Sequence, residues 1–553
     1  CREILNMNNA IRVAMLALGT AVVSPCLAHG PVEPEHTSTT VADTSLGTVH
    51  FPITGTDDHR ERFERGLAYL HHMMYALAEM EFTALSAAAP DCAMAYWGIA
   101  MSRFHPLWVG RPSDADYAVG EAALEKARAV PGLSERERAY IEAASAFYGD
   151  WATLDYESRL ARWETRQKSV HERYPDDLDA ATLYALAHLA TAPKDDHSLG
   201  HQKAAGALLE HVFQHAPTHP GVLHYTIHAY DSAQLAPRAI SAARAYDKVA
   251  PAVPHALHMP THIFVRLGLW PDVIHWNARS ASAALAFPAG SSISHHYPHA
   301  LDYLVYASLQ CGQEGRARAV MDEMFAHGGF QQTAVAAYGL AAIPARLALE
   351  RGHWQQAVAL KVPQVGDFPW EKFPQAEAIT WFARGLGAAR QGNSSTAQQA
   401  IVELDVRVAR LQSAGEDYWA RLVGAERRAV AAWLAMSAGD TRQALAMMSE
   451  AADAEDALEK HPVTPGAVMP ARELYADMLL RLERPGAALE AYERSLASAP
   501  NRRNSLAGAA EAAQRMGLHE VAARYARQME AQCGEADAAH PAHAPGRVRL
   551  AGP

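Results

Sequence analysis

The sequence predicts an all-α superhelical solenoid of about ten to twelve helical hairpins. Three observations predict it. Sequence features recur at an interval of 34 residues: Pro220 and Pro254, Pro237 and Pro271, His224 and His258, His228 and His262. Gly and Pro punctuate apolar segments of helical length, and alanine runs such as AAWLAM and AGAAEAAQRMG suit close-packed helices. No stretch shows the sustained alternation of a strand.

In chain order, Arg12 precedes the apolar stretch VAMLALGTAVVSPCLA, which closes on the small-x-small triplet Cys26-Leu27-Ala28. This is the pattern of an export signal over residues 1–28, cleaved near Ala28, and it predicts an exported, periplasmic protein. Pro25 before Cys26 fits lipid attachment poorly, and Met7 is a candidate start. Residues 29–57 are polar and proline-containing and are expected to be a flexible linker. Helical patterning begins near Asp58. It divides into a first set of repeats over 58–330, which holds the histidines, and a second set over 331–535. A tail over 536–553 is expected to lack structure. No second apolar run is long enough to span a membrane.

A 34-residue interval is that of the tetratricopeptide repeat, a helix–turn–helix hairpin stacked on its neighbours. Gly66, Ala78, Phe82 and Pro90 have its spacing. So do Trp381, Gly385, Gly392 and Ala397, and Ala432, Gly439, Ala444 and Ala451; the clearest copy is Ala476, Ala488, Tyr492 and Pro500. Small residues let two helices approach, an aromatic fills the gap, and proline ends the second helix. A further copy has Ala510, Gly517 and Ala522, and other hairpins turn near Gly268, Gly312 and Gly352. The strings PDCAMAYWGIA, HPGVLHYTIHAYD, HALHMPTHIFVRLG and EKHPVTPGAVMPARELYADML exceed what a generic repeat needs. Through them the chain resembles a family of exported bacterial tetratricopeptide-repeat proteins. The resemblance implies the fold and a shared site, and names no reaction.

The repeat places His224-x-x-x-His228 and His258-x-x-x-His262 at equivalent positions on neighbouring first helices. Side chains four apart share a helix face, so four imidazoles are expected to converge on the concave groove. Asp231, His188, His299 and Asp302 extend the patch as further ligands or as acceptors that orient the rings. Imidazole with some carboxylate suits a divalent transition metal: zinc, copper or iron. Tyr225 and Met259 stand where a zinc protease motif would have Glu, so that signature is absent. The competing readings are an uncharged polar groove and simple packing. Pro260 lies inside the second pair and predicts a helix start near Leu257 or a kink that alters the pair's spacing.

The net charge of −12 and the lack of a basic run exclude a nucleic-acid partner. Cys92, Cys311 and Cys533 show no thiolate zinc spacing and no disulfide framework; Cys92 and Cys311 are expected to be small core residues. Glu473, Asp477 and His461 are the catalytic candidates, on a helix and a charged loop that could face the histidines across the groove. The run His71-His72-Met73-Met74 suggests copper, with a plain helix face as the favoured reading. Trp97, His105 and Trp108 suggest an aromatic cap, and His295-His296 a mobile lid. Two functions compete: a module binding a peptide, protein or small ligand through its groove, or a metal-dependent hydrolase or oxidase using the same histidines.

Overall fold

In the computed structural model, residues 45–107, 111–193 and 196–533 are described. The signal segment, the first part of the linker, Trp108 and the tail lie outside them. Twenty-five α-helical segments and no strand occur among the described residues; two isolated bridges, Ala289 with Ser292 and Ile293 with Phe330, are the only extended pairings there. Each helix packs on its sequence neighbours, and one helix of many hairpins also packs on its counterpart in the next. Pro374–Arg390, for example, lies against Ser394–Ser413 and Asp417–Ser437. The fold is therefore an all-α solenoid of tetratricopeptide-like hairpins.

The predicted repeat positions do the packing expected of them. A methyl group on Gly98 would sit 2.4 Å from the ring of Phe82, and one on Gly508 would sit 2.2 Å from that of Tyr492. Each glycine thus leaves room for an aromatic from the adjacent helix. Hairpin turns use left-handed residues. Gly268 has φ +64°, and the Leu269 amide donates to the Phe264 carbonyl behind it, closing the helix end. A side chain at Gly268 would also strike the Pro500 carbonyl at 2.4 Å, so the turn is pressed against a much later hairpin.

That contact belongs to a wider closure. The described residues form one compact unit, and the repeats on either side of residue 330 are joined by long-range bonds. Trp270 Nε1 donates to the Asn501 carbonyl and Tyr303 Oη to the Pro462 carbonyl; within the second set Arg346 donates to the Gly466 and Ala467 carbonyls. Arg502 bridges Glu350 and Glu473. Cys311 and Cys533, 222 residues apart, form a disulfide, which corrects the expectation for these two cysteines. Cys92 is buried and free, as expected.

The later part of the expected linker is ordered. Phe51 is fully buried against Phe63, Trp97 and Tyr140. The Thr48 amide donates to the Thr218 carbonyl, and Thr54 donates to Glu137 through both its amide and its hydroxyl. Apolar residues at Leu46, Val49, Phe51 and Ile53 supply the burial that a polar composition had masked.

Candidate metal centre

Three helical elements build the site. The first is Pro220–Tyr230, started by Pro220 at its first position and by His219, whose Nδ1 accepts from the Val222 amide. The second is a broken helix. Pro260 has no N–H to continue the ladder, so Pro254–His258 ends and Pro260–Arg266 begins on either side of Met259. The third is His296–Gln310.

The two predicted pairs are formed. His224 Nε2 lies 3.1 Å from His228 Nε2, and His258 Nε2 lies 3.1 Å from His262 Nε2. The proline break therefore leaves the second pair with the spacing of the unbroken one. Around them the structure gathers imidazoles in two groups, His224–His228–His255 and His258–His262–His299, each with ligand atoms all within 4.8 Å of one another. The groups adjoin. The ring of His255 is 5.0 Å from that of His224 and 5.3 Å from that of His296, and His299 is 4.2 Å from His258.

The outer ring nitrogens decide the tautomers. His258 Nδ1 is 2.8 Å from Asn277 Oδ1, and Asn277 Nδ2 donates to the Val273 carbonyl, so the amide's oxygen faces the ring. His258 must donate from Nδ1. His262 Nδ1 is 3.0 Å from Asp231 Oδ2 and donates to it. Burial alone would raise the Asp231 carboxyl, but Lys460 and Arg266 outweigh it and hold Asp231 well below its ordinary range, ionised. His224 Nδ1 donates to the His71 carbonyl at 2.7 Å. In the second pair both Nε2 atoms consequently carry lone pairs, and these face each other at 3.1 Å. Burial holds both rings below the ordinary 6.5, with Asp231 opposing the shift of His262, so a shared proton is disfavoured.

Such a pair repels unless a cation lies between. Two nitrogens bound at about 2.0–2.1 Å to one ion are held roughly 2.9–3.4 Å apart for angles between a right angle and the tetrahedral value. The observed 3.1 Å falls inside that range. Asp231 supplies the carboxylate that orients a ligating imidazole, and Asn277 does the same for His258.

Other predicted residues lie elsewhere. Asp302 is bound to Arg346, Nε to Oδ1 at 2.7 Å, and is not among the residues of the histidine groups. His188 belongs to a separate, partly buried set in which its Nδ1 donates to Glu164 at 2.6 Å and its ring stacks on His201. Glu473 is held by Arg502 at 2.7 and 2.9 Å, and Asp477 accepts from Tyr492 Oη at 2.6 Å. Burial pushes Asp477 up to about 6. The ring of His461 packs at a tilt against Trp419 and Tyr418, and its Nδ1 accepts from the Val463 amide. The partners of these three catalytic candidates include none of the clustered histidines. His296 starts a helix and is buried, as is the ring of His295, so the pair forms no lid.

The groove expectation also changes. The rings of His224, His258 and His262 are buried, and the loop after Asp456 folds back beside the second pair. Arg266 donates to Asp231 and Glu459, Lys460 approaches Asp231 at 3.5 Å, and Tyr303 donates to the Pro462 and Thr464 carbonyls.

His71 and His72 are buried too, but they are satisfied. The Tyr225 hydroxyl donates to His71 Nδ1, and His71 Nε2 and His219 Nε2 donate to Asp179 at 3.1 and 3.2 Å. Tyr246 donates to His72 Nδ1, while His72 Nε2 donates to the Leu46 carbonyl. These partners match the plain packing reading of this run.

No protein-family model matches the chain, and none of the curated proteins matches it. Among solved structures, it is similar to the crystal structure of the APC/C hetero-tetramer Cut9-Hcn1, with a TM-score of 0.30, 13% identity, and coverage of 89% of this chain and 94% of that one. It is also similar to the P58(IPK) TPR domain, with a TM-score of 0.21, 13% identity, and coverage of 83% and 99%. At these scores the likenesses carry no argument; the chain's own hairpins establish the repeat architecture.

Proposed function

We propose that this protein is an exported, tetratricopeptide-like binding protein whose buried histidine centre holds divalent transition metal. The observation that supports it is the His258–His262 pair, whose outer nitrogens are both committed as donors and whose inner lone pairs meet at 3.1 Å. Zinc, copper and iron all accept imidazole. Helical solenoids present extended surfaces to partners, so a peptide, protein or small molecule bound beside the metal is the first reading. The Cys311–Cys533 bond suits an oxidising compartment and so supports export.

Metal analysis of untagged, full-length protein tests the proposal. At least one tightly held ion per chain is expected, lost in the double variant His258→Ala, His262→Ala. Metal-free wild-type protein that also fails to take up zinc, copper or iron would overturn it.

A second reading, a metal-dependent enzyme, is favoured by one feature. Each group musters three imidazoles, the number that leaves a tetrahedral ion one position for water or substrate. An exchangeable water on the bound ion supports this reading, and a closed four-ligand sphere refutes it.

A further inference from the structure

Beside the metal centre lies a cavity of about 460 Å³. Arg266 and Lys460, which both contact Asp231, stand on its wall. At the opposite charge extreme are Glu426 and Glu455, with Tyr338, Tyr418, Leu422 and Trp270 among the lining residues. The size is that of a small-molecule site.

The charges on this wall do not balance locally. Arg266 is paired with Asp231 and Glu459, Lys460 with Asp231, and Arg494 with Asp453 and Asp456. Each wall cation therefore already has its anion. Glu426 has none. It is 7% exposed, and among the described residues its carboxyl has no hydrogen-bond or ion-pair partner. Glu455 receives one bond, from the Ala471 amide at 2.8 Å. A buried carboxyl without a partner is costly, and a cavity that holds one is shaped for what completes it. The unmatched group is a carboxyl. Tyr338, Tyr418 and Trp270 line the same cavity, and aromatic rings attract organic cations.

We propose that this cavity binds a small organic cation, a protonated amine on an apolar body, with Glu426 and Glu455 as counter-ions and Tyr338 and Tyr418 as aromatic walls. The amine can belong to a free molecule or to the amino terminus of a short peptide; the ammonium group is what the site reads. Burial, with Glu455 nearby, pushes Glu426 up to about 8, and burial pushes Glu455 up to about 7. Burial raises both phenols, Tyr418 and Tyr338, and Glu455 and Glu426 add a smaller push to Tyr418 and Glu426 to Tyr338. An arriving ammonium therefore releases a proton from the carboxyl pair at neutral pH. This inference does not depend on the metal reading.

Titration calorimetry of the full chain tests it, using phenethylamine, the neutral analogue 2-phenylethanol, a tri-alanine peptide and its N-acetylated form. At least one amine-bearing probe is expected to bind about tenfold or more tighter than its uncharged analogue, the charge-assisted contribution. The bound one of the two identifies the source. Measured in buffers of different ionisation enthalpy, binding at about pH 7 should release a proton, with less released at about pH 9. Glu426→Gln should remove the preference for the amine while leaving metal content intact and melting at neutral pH no lower than that of wild type, and Glu455→Gln should weaken it. Equal binding of charged and neutral probes, no binding of any amine probe, or an amine preference unchanged in Glu426→Gln would each overturn the proposal. Loss of metal in the histidine variants bears only on the other centre.

Discussion

Two buried histidine clusters lie within one helix end of each other, and they are built in opposite ways. The side chain of His71 joins Asp179, His219 and Tyr225, while its carbonyl orients His224 in the other cluster. In the first cluster every ring nitrogen has a complementary partner. His71 accepts on one side and donates on the other, and so does His219. In the second, the donors of His258 and His262 are used up outside the pair, and two acceptors are left facing. Proximity of three ligand-type side chains is common to both. What separates a structural cluster from a metal site is whether the hydrogen-bond inventory closes without an ion.

The largest test of this contrast is removal of ligands. His258→Ala with His262→Ala should abolish metal retention, whereas Asp179→Asn should leave the metal stoichiometry unchanged, as read by elemental analysis. The same Asp179→Asn should cost about 3–5 kcal/mol in denaturant unfolding, because it takes the anion from a buried set built around it. The histidines hold Asp179 well below its ordinary carboxylate range against the effect of burial. That stabilisation is present above the unfolded carboxyl's pKa and is lost as pH falls through the folded one, so the wild-type advantage should shrink in acid.

Reduction of Cys311–Cys533 should lower stability by about 2–4 kcal/mol. It frees the last hairpin from the helix that carries His296 and His299, and the His71–Asp179 cluster should keep its protection from hydrogen exchange. Asp231→Asn sharpens the contrast further. It leaves both Nε2 ligands in place and weakens only the acceptor behind His262, so metal affinity should fall about 10- to 100-fold without disappearing.

The smallest effect concerns the neighbouring cavity. Glu426 is raised from its ordinary 4.5 to about 8. The folded chain therefore keeps a proton that the unfolded chain loses, and this contribution to stability is present below about pH 4.5 and lost as pH rises through about 8. Glu426→Gln lacks that slope. It should melt with wild type near pH 4 and exceed it increasingly as the pH rises to about 9, as read by thermal unfolding.

Much of the site was legible because it is local. His224 with His228 and His258 with His262 share faces by helical geometry, and the 34-residue interval brought the two pairs to adjacent hairpins. Asp231 was legible for the same reason, one turn beyond His228, although its role is to orient His262 across the hairpin boundary. Asn277 was missed. It comes from the second helix of a hairpin, Trp270–Leu285, and nothing in its local sequence marks it as the acceptor for His258. Asp302 was expected beside the histidines because it lies on the correct helix three residues after His299. Arg346, 44 residues later, claims it instead.

By itself, the sequence determined the hairpins, their small-residue and aromatic packing, and the histidine pairs, since each depends on residues within a few turns of one another. Tertiary structure alone decided that the groove closes over those histidines, that Cys311 meets Cys533, and that Glu426 is left without a partner. These outcomes depend on where the superhelix brings residues separated by tens to hundreds of positions. Small rotations between hairpins accumulate along that path, and no local pattern encodes their sum.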